Sequence, residues 1–471
     1  MKRSTIHGLM ARVSPQAVPY VFANQGVTKA IRGALTKTGK HSKKKCPLNA
    51  ILVVWLVVSM NLYRSLSVPD VLKEITKRLR KKVPRLSLKP VTKEAPVKAR
   101  KRLGSVPLKT LFEDLAERVD PQLSFRGLRT WGVDGVRFTM PDTPENEEAF
   151  GRPKASRGTS AFPQMLGVAL VDTVSRQIRA AELGHHKGSE RAACLRMMKK
   201  HLGAWDLLLL DRGFPSIEIF EACDQQGVKF LAKLNSRWKP KTIRRLGKGD
   251  SLVRVSGKIL LPEDQWKSGR RKFRKDELIL RLIEFRVRGK KKPVRLITNL
   301  LDHKQYPAIE LVTLYHERWE CELVYDEVKT HLVATSGGSL DTTFRSKFPD
   351  RVLQEAYGLL VAYNLVRELI VEAAAVHHLD PERISFVEAL HVIRMASRDL
   401  VGADARAKRR FTRQLLDDIA DCKLSRSRRN RSYPRVVRIK MTKFKLKRKH
   451  HRGETRNFLD LISLCGYRRA A

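Results

Sequence analysis

The most constraining feature of the sequence is a strand-like run that has no polar face. The run from Trp205 to Leu210 ends in four consecutive leucines, without the alternation of apolar and polar residues that a half-exposed strand shows. Such a run is typical of a strand that is buried on both faces of a sheet, with helices on both sides. The sequence therefore predicts an α/β fold built on a central sheet.

Strand and helix patterns alternate around this run from about Gly127 onward. The predicted order is three strands, a helix, a strand, a helix and a strand, over the ranges Trp131–Met140, Met165–Val174, Gln177–Leu183, Ser189–His201, Trp205–Leu210, Ser216–Gln226 and Lys229–Leu234. That order is expected of a ribonuclease-H-like core. With later helices predicted at Arg351–Ala375 and Pro381–Ser397, this α/β domain is expected to span residues 125–400.

A β-rich insertion is predicted inside this domain, at residues 235–300. The helical pattern there gives way to short strand-like runs, at Ser251–Val255, Glu277–Val287 and Val294–Thr298. Helices return from Ala308 onward.

The two ends of the chain are predicted to be helical and basic. Residues 1–110 contain an apolar helix, Leu48–Leu66, an amphipathic segment, Val68–Arg80, and a Pro- and Lys-rich stretch, Lys81–Arg102, that is expected to be a linker or a DNA-contacting arm. The apolar part of the first helix is shorter than the roughly 20 residues that span a bilayer, so no membrane partner is expected. Residues 401–471 form a basic region whose Arg426–Arg452 stretch is dense in Lys and Arg.

The charge of the chain indicates a polyanionic partner. Lys and Arg number 95 against 48 Asp and Glu, a formal net charge of +47. DNA or RNA is the usual polyanion that neutralises such an excess. Charge alone is equally compatible with a basic binding protein and with an enzyme. The six cysteines are scattered without metal-ligand spacing, which is typical of reduced cytosolic thiols.

A candidate site lies on the helix predicted from Tyr315 to Leu332. At about 100° per residue, four side chains fall within an arc of roughly 60° beside an apolar stripe. The four are Tyr315, Arg318, Glu322 and Lys329. Three other acids, Glu317, Glu320 and Glu327, fall on the opposite side of the helix. An acid between two cations suits a metal ion that is bound next to phosphates. An ordinary amphipathic helix with internal ion pairs fits equally well, and Asp326 is a rival acid on the same face.

Two further acids are candidate partners, since one carboxylate cannot hold two hard cations. Asp211 ends the leucine run, which places it at the carboxyl end of a strand, where α/β sheets have their ligand sites. Asp134 lies within a predicted strand, where an acid is costly to bury unless it is paired or bound to a metal. A helix-capping role for Asp211 and a turn role for Asp134 are the alternatives.

The motifs around these residues resemble those of the insertion-element-four family of DDE transposases. The pattern Tyr-x2-Arg-x3-Glu-x6-Lys begins at Tyr315, the series DGVRFTMPDTPENEEAFG begins at Asp134, and Asp-Arg-Gly-Phe begins at Asp211. The likeness extends over roughly residues 48–449, although Val136 stands where the family commonly has a small hydroxyl residue.

The resemblance implies a function and a set of site residues. It implies that Asp134, Asp211 and Glu322 are catalytic and hold two Mg²⁺ ions, for which Mn²⁺ substitutes. It implies that Tyr315, Arg318 and Lys329 bind DNA phosphates. The expected partners are double-stranded DNA, as inverted-repeat ends and target, and a second copy of the chain in a homodimer. Cut-and-paste transposition is expected, with a hairpin at the cleaved end as one route, in the bacterial cytoplasm at the nucleoid.

Several readings remain open at this point. A nuclease of the same fold would cut without strand transfer, and an inactive transposase-derived protein would only bind DNA. The insertion is expected to supply an aromatic residue that traps a flipped base, but Trp238 and Trp266 match no motif and core packing is expected of both. His185 and His186 are expected to form a surface loop pair rather than a metal site.

Overall fold

The computed structural model describes residues 22, 26–42, 48–82, 92, 94–155, 158–260, 273–290, 292–333, 343–396, 405–425, 431–432 and 456–465. The chain divides into two compact units. Unit 1 comprises Met1–Gln122, Asp134–Ala193 and Cys321–Ser425, and unit 2 comprises Leu123–Val133, Cys194–Glu320 and Arg426–Ala471. The predicted tail Arg426–Arg452 lies outside the described residues except for 431–432, and so does Trp266.

The strands run from the middle of the chain to its end. In chain order they are β1 Leu123–Phe125, β2 Leu128–Thr139, β3 Lys154–Ala155, β4 Gly158–Thr159, β5 Gln164–Asp172, β6 Ile178–His185, β7 Asp206–Leu210, β8 Lys229–Lys233, β9 Lys241–Gly247, β10 Asp250–Leu260, β11 Phe273–Val287, β12 Val294–Thr298, β13 Arg431–Ser432, β14 Arg456–Asn457 and β15 Ile462–Leu464.

The described helices lie before the strands and between them. They are α1 Val27–Lys37, α2 Ala50–Leu62, α3 Val68–Lys82, α4 Glu94–Leu103, α5 Val106–Ala116, α6 Pro144–Phe150, α7 Glu190–His201, α8 Ile217–Gln225, α9 Ala308–His316, α10 Trp319–Asp326, α11 Pro349–Val376, α12 Phe386–Ala396 and α13 Ala405–Asp421. A π-helical segment, Glu327–Val333, follows α10 directly.

The sheet of unit 2 begins with three parallel strands. β2, β7 and β8 lie side by side in the same direction, with Val133 opposite Leu210 and Leu210 opposite Ala232. Leu207 to Leu210 are fully buried, which confirms the prediction of a strand covered on both faces. Beyond β8 the order continues with β12, β11, β10 and β9, all antiparallel.

Unit 1 holds the antiparallel pair β5 and β6 beside the second half of β2. Through β2 the order of the five core strands is β6, β5, β2, β7 and β8. Numbered along the chain, this is the order 3-2-1-4-5 that fits the predicted ribonuclease-H-like core, with the second and third strands antiparallel to each other. The predicted strands and helices of the core are confirmed to within a few residues at each end.

The region from 241 to 298 is β-rich, as predicted, and contains one strand that the pattern did not reveal. β9 reads Lys-Thr-Ile-Arg-Arg-Leu-Gly and is mostly exposed, so it lacks the apolar alternation that marks a half-buried strand. A buried ion pair links β10 to β11 in this region: Arg281 donates to both carboxylate oxygens of Asp250, at 2.8 and 2.6 Å.

The apolar helix predicted near the start of the chain is α2, and it is buried in unit 1. α2 begins after Asn49, whose side chain accepts the Leu52 amide at 2.9 Å, a typical N-cap. Val53 to Leu62 are buried, and α2 packs against α11. No helix among the described residues is both long and apolar enough to cross a bilayer.

Two predicted element limits were wrong. The stretch Lys81–Arg102, predicted as a linker or arm, contains α4, because Ala99 and Leu103 are buried and Arg100 donates to the Gln354 side chain on α11 at 2.7 Å. The predicted helix Pro381–Ser397 is a short 3₁₀ turn, Pro381–Arg383, followed by α12. The 3₁₀ turn is capped by Asp380, whose carboxylate accepts the Glu382 amide at 3.1 Å.

Candidate active site

Asp211 lies directly after β7, in contact with the half-buried phenol of Tyr315. Tyr315, near the end of α9, donates its hydroxyl to the Leu210 carbonyl at 3.2 Å and also interacts with the Asp211 carboxylate. Burial raises the pKa of Tyr315; Arg318 opposes this effect and Asp211 adds to it. The phenol is therefore a neutral hydrogen-bond donor at any physiological pH.

Cations gather around Asp211 in unit 2. Lys233, the last residue of β8, is half-buried and interacts with the Asp211 carboxylate. Burial lowers the pKa of the Lys233 ammonium, and three neighbouring cations lower it further while Asp211 raises it. These neighbours are Arg212, Lys290 and Arg318. This edge of the sheet is therefore electropositive and suited to an anion.

The backbone at Asp134 is held by a second half-buried phenol, that of Tyr325, in unit 1. Tyr325 donates its hydroxyl to the Asp134 carbonyl and accepts the Ala169 amide at 3.2 Å. Burial raises the pKa of Tyr325 well above its ordinary value, and the Asp134 carboxylate adds to this effect. The Gly135 amide donates to the Asp134 carboxylate at 2.8 Å. These bonds fix the backbone of β2 where its acid projects.

A fourth acid, Glu190, lies against the residue after Asp134. A Cβ atom built on Gly135 would come within 2.5 Å of the Glu190 carboxylate, so this glycine leaves the space that Glu190 occupies. Glu190 begins α7 and contributes to the electrostatic environment of Tyr325.

The predicted single helix from Tyr315 to Leu332 was wrong. α9 ends at His316, α10 runs from Trp319 to Asp326, and the chain then winds as a π-helix. A constant 100° per residue therefore does not apply, and Glu320 and Glu327, expected opposite the apolar stripe, are buried.

Glu327 is buried because it has strong partners in unit 1. Its carboxylate accepts from Arg176 at 3.2 Å, from the Tyr363 hydroxyl at 2.9 Å and from Arg367 through two nitrogens. Burial alone would raise the pKa of Glu327, but the two guanidinium groups hold it below its ordinary value. The acid is thus charged in the interior.

The remaining predicted residues lie on α10 and on the π-helix. Glu322 is half-buried on α10, and the exposed Lys329 donates its ammonium to the Arg137 carbonyl at 3.0 Å. Asp326 is exposed and accepts the Thr330 hydroxyl at 2.9 Å. Asp211, Tyr315 and Arg318 thus lie together in unit 2, whereas Asp134, Glu322 and Lys329 belong to unit 1.

The prediction of a surface pair of histidines is confirmed for His185 and wrong for His186. His185 is exposed, but His186 is buried, with its Nδ1 atom 3.0 Å from the Phe150 carbonyl. The two rings lie 4.5 Å apart against Gly151, which has no side chain to displace them. Trp238 packs on Phe220, with ring centroids 5.6 Å apart, as expected of a core residue.

Within the part of the chain that the structure describes, no group of three or more His, Cys, Asp or Glu side chains is close enough to hold a metal ion. The donor chemistry of the three predicted acids, all carboxylate oxygens, fits a hard divalent cation.

Known proteins that are similar to this chain identify its family. The family model described as "Transposase DDE domain" matches residues 132–365, and "Insertion element 4 transposase N-terminal" matches residues 20–113. The chain is also 31% identical over 423 residues to "Transposase InsG for insertion sequence element IS4" of Escherichia coli (strain K12), which covers 88% of this chain and 90% of that one. The chain belongs to the insertion-element-4 family of DDE transposases.

Two further likenesses to this transposase are more distant. "Putative transposase InsZ" of Escherichia coli (strain K12) is 25% identical over 227 residues, covering 47% of this chain and 71% of that one. The cryo-EM structure of the piggyBac transposase synaptic complex with hairpin DNA has a TM-score of 0.42 and 10% identity, covering 86% of this chain and 84% of that one.

Membership of the family establishes the activity of this chain at the level of its class. The protein is a DNA transposase, an enzyme that acts on DNA, and DDE domains use divalent metal ions. Two residues of the transposase escaped the sequence analysis. Lys233 and Glu190 belong to no motif of the family. The signal for Lys233 was its position at the end of a predicted strand, and the signal for Glu190 was the glycine beside Asp134.

Proposed function

We propose that this transposase cuts DNA at the inverted-repeat ends of an insertion sequence and joins those ends to target DNA, in a cut-and-paste reaction that depends on Mg²⁺. In this proposal Asp134, Asp211 and Glu322 hold the metal ions, and Mn²⁺ substitutes for Mg²⁺. Two such ions, when bound, supply activation of the attacking hydroxyl and stabilisation of the leaving oxygen.

The register of the parallel strands carries the proposal. Val133 and Leu210 are partners on β2 and β7, and the residues that follow them are Asp134 and Asp211. Side chains at partner positions of neighbouring strands point to the same face of a sheet. The register therefore supports a shared role for the two carboxylates: Asp211 follows the carboxyl end of β7, where α/β sheets bind ligands, and Asp134 is the next residue of β2 after the partner of Leu210.

The environment of the two rival acids supports Glu322 as the third ligand. Asp326 is exposed and has partners on its own segment, the Thr330 hydroxyl at 2.9 Å and the His331 ring at 3.7 Å. Glu322 is half-buried and belongs to the Tyr-Arg-Glu-Lys pattern of the family.

Tyr315, Arg318 and Lys329 bind DNA phosphates in this proposal. Burial keeps the Tyr315 hydroxyl neutral, and its single proton would be donated to a phosphate oxygen in place of the Leu210 carbonyl. Arg318 can donate to two phosphate oxygens at once, and it acts on Lys233 together with two other cations, Arg212 and Lys290. The Lys329 ammonium has donors to spare beyond its bond to Arg137.

The wider organisation follows the same proposal. Residues 1–110 and the basic region 401–471 contact DNA, and residues 125–400 form the catalytic domain, with the β-rich insertion at 235–300. Two copies of the chain pair two inverted repeats. The excess of 95 Lys and Arg over 48 Asp and Glu supports extended contact with DNA, and the reaction would take place at the bacterial nucleoid.

A reaction with purified full-length protein tests the proposal. A donor DNA carrying the inverted repeats and a target plasmid are incubated with Mg²⁺, and integrated product is expected. Glu322→Gln should abolish cleavage while end binding persists, and Asp326→Asn, the matched control, should cleave as the parent does.

Three results would contradict the proposal. Cleavage by the Glu322→Gln variant would exclude Glu322 as a ligand. Cleavage without integration would indicate a nuclease, and end binding without cleavage under any divalent ion would indicate an inactive DNA-binding relative.

A further inference from the structure

Two neighbouring parallel strands of the core, β7 and β8, end in register at charged residues. Leu210 on β7 is opposite Ala232 on β8, and the next residues are Asp211 and Lys233. The Lys233 backbone is itself paired with Leu296 on β12, so the position is fixed from both sides. Partner positions point to one face, which puts the Lys233 side chain on the same face as Asp211.

The surroundings of Lys233 in unit 2 favour an anion. The ammonium is half-buried and interacts with one carboxylate, Asp211, and with three cations. These are Arg212, Lys290 and Arg318. A lysine that is partly desolvated among other cations destabilises the folded protein unless a negative charge joins it. Among the charges that act on the Lys233 ammonium, cations therefore outnumber carboxylates by three to one.

The chemistry of the site selects the anion. Tyr315 interacts with both Arg318 and Asp211, and the same two charges act on Lys233, so these groups lie near one another at the sheet edge. In phosphoryl transfer the non-bridging oxygens gain charge in the transition state, and fixed cations stabilise that charge. A phosphodiester is the anion that the transposase brings to this place.

We infer that Lys233 is a catalytic residue of this transposase, whose ammonium donates to a non-bridging oxygen of the phosphodiester that is cut and joined. This inference rests on the proposed function and adds a residue to it. Lysine presents a compact charge that can follow the phosphorus as it inverts, whereas Arg318 grips a phosphate at a fixed geometry.

The test is single-turnover cleavage of a donor end by full-length protein. Lys233→Gln should lower the cleavage rate by about 100- to 1,000-fold, as removal of one transition-state donor does. Lys233→Arg should recover part of that loss, because it keeps the charge. The matched control is Lys229→Gln, a lysine at the other end of the same strand, opposite Leu207. That variant should cleave at the parent rate.

A chemically altered substrate separates a direct contact from a structural role. A neutral methylphosphonate is placed at the scissile position or, in a second donor, at the next phosphate. The penalty of Lys233→Gln should shrink at least tenfold on the scissile methylphosphonate and stay unchanged on the other donor. A purely structural role for Lys233 would leave the penalty equal on all donors.

The outcomes distinguish failure of this inference from failure of the proposed function. If Lys233→Gln cleaves at the parent rate, or if its penalty is the same on every donor, Lys233 does not touch the phosphodiester. If the Glu322→Gln variant still cleaves, the proposed function itself fails. Thermal unfolding of Lys233→Gln and Lys233→Arg shows whether each variant is folded. If Lys233→Arg is folded but loses as much cleavage rate as Lys233→Gln does, the inference is also contradicted.

Discussion

Glu327 shows how strongly one residue can depend on distant partners. Its carboxylate is buried between Arg176 and Arg367, with Tyr363 as a further donor. Removal of the acid leaves two buried guanidinium groups without their counter-charge. Glu327→Gln should therefore lower the free energy of unfolding by about 3–5 kcal/mol, which a urea titration measures.

The exposed neighbour Asp326 supplies the control for that measurement. Asp326→Asn should change the free energy of unfolding by less than about 0.5 kcal/mol, as exposed substitutions do. Equal effects of the two substitutions would contradict the buried network. Because the pKa of Glu327 is held low, its stabilisation is present above the ordinary pKa of a glutamate and is lost as the pH falls below it.

Gly151 should tolerate no side chain. It has a positive φ of 74°, and a Cβ there would lie 2.4 Å from both histidine rings, His185 and His186. Gly151→Ala should lower the free energy of unfolding by about 2–4 kcal/mol, the sum of backbone strain and overpacking. Thermal or urea unfolding measures the loss.

Gly127 separates the two causes. Its φ of 80° is similar, but nothing lies within 4 Å of a Cβ built there. Gly127→Ala should therefore cost only about 1 kcal/mol from the backbone conformation. A loss as large as that of Gly151→Ala would show that the histidine rings are not the cause.

At this scale the sequence revealed motif residues but not their neighbours. Asp211 and Tyr315 were found from their motifs, and the structure brings them together. Lys233 escaped because its role depends on a strand register that no local pattern encodes. Glu327 was assigned to the wrong face because its partners lie 151 and 40 positions away along the chain.

The elements themselves were predicted where their own pattern determines them. The core strands β2, β7 and β8 carry dense apolar runs, and their limits were found within a few residues. α4 was missed because its Lys- and Pro-rich composition resembles a linker, and its stability comes from contacts with α11. The break between α9 and α10 was missed because an apolar period alone does not reveal a change of helical winding.

Helix α11 contains an acid that should make unit 1 sensitive to pH. Burial raises the pKa of Glu368 to about 7, against the opposing charge of Arg118. The folded state therefore holds a proton that the unfolded state releases, so the stability falls as the pH rises from about 4.5 to 7. Glu368→Gln should remove this loss.

Thermal unfolding at pH 5 and pH 8 measures the effect. Glu368→Gln should match the parent protein at pH 5 and exceed its stability at pH 8 by about 1–2 kcal/mol, a range reduced for the partial exposure of the group. Glu148→Gln, on an exposed glutamate of α6, should show no such difference. A gain for Glu368→Gln that is equal at both pH values would contradict the protonated state.

The charge of the whole molecule predicts how its binding to DNA depends on salt. The formal net charge is +47. Contacts to phosphates release counterions, so affinity for non-specific duplex DNA should fall by about 10³- to 10⁵-fold between 50 and 200 mM salt if 6 to 10 phosphates are contacted. Fluorescence anisotropy measures the slope. A neutral solute at the same osmolality is the control, and a flat salt dependence would contradict phosphate-dominated binding.

The order of segments along the chain constrains when the enzyme can assemble. Unit 1 consists of three segments, and the 127 residues Cys194–Glu320 of unit 2 interrupt it before Cys321. At a synthesis rate of about 5–20 residues per second, a ribosome needs roughly 6–25 s to add that interruption. During that time the newly synthesised part of unit 1 is incomplete, because its final helices have not yet been made. A truncated translation product that stops anywhere before Cys321 lacks Glu322, so it can neither finish unit 1 nor carry the full set of proposed metal ligands.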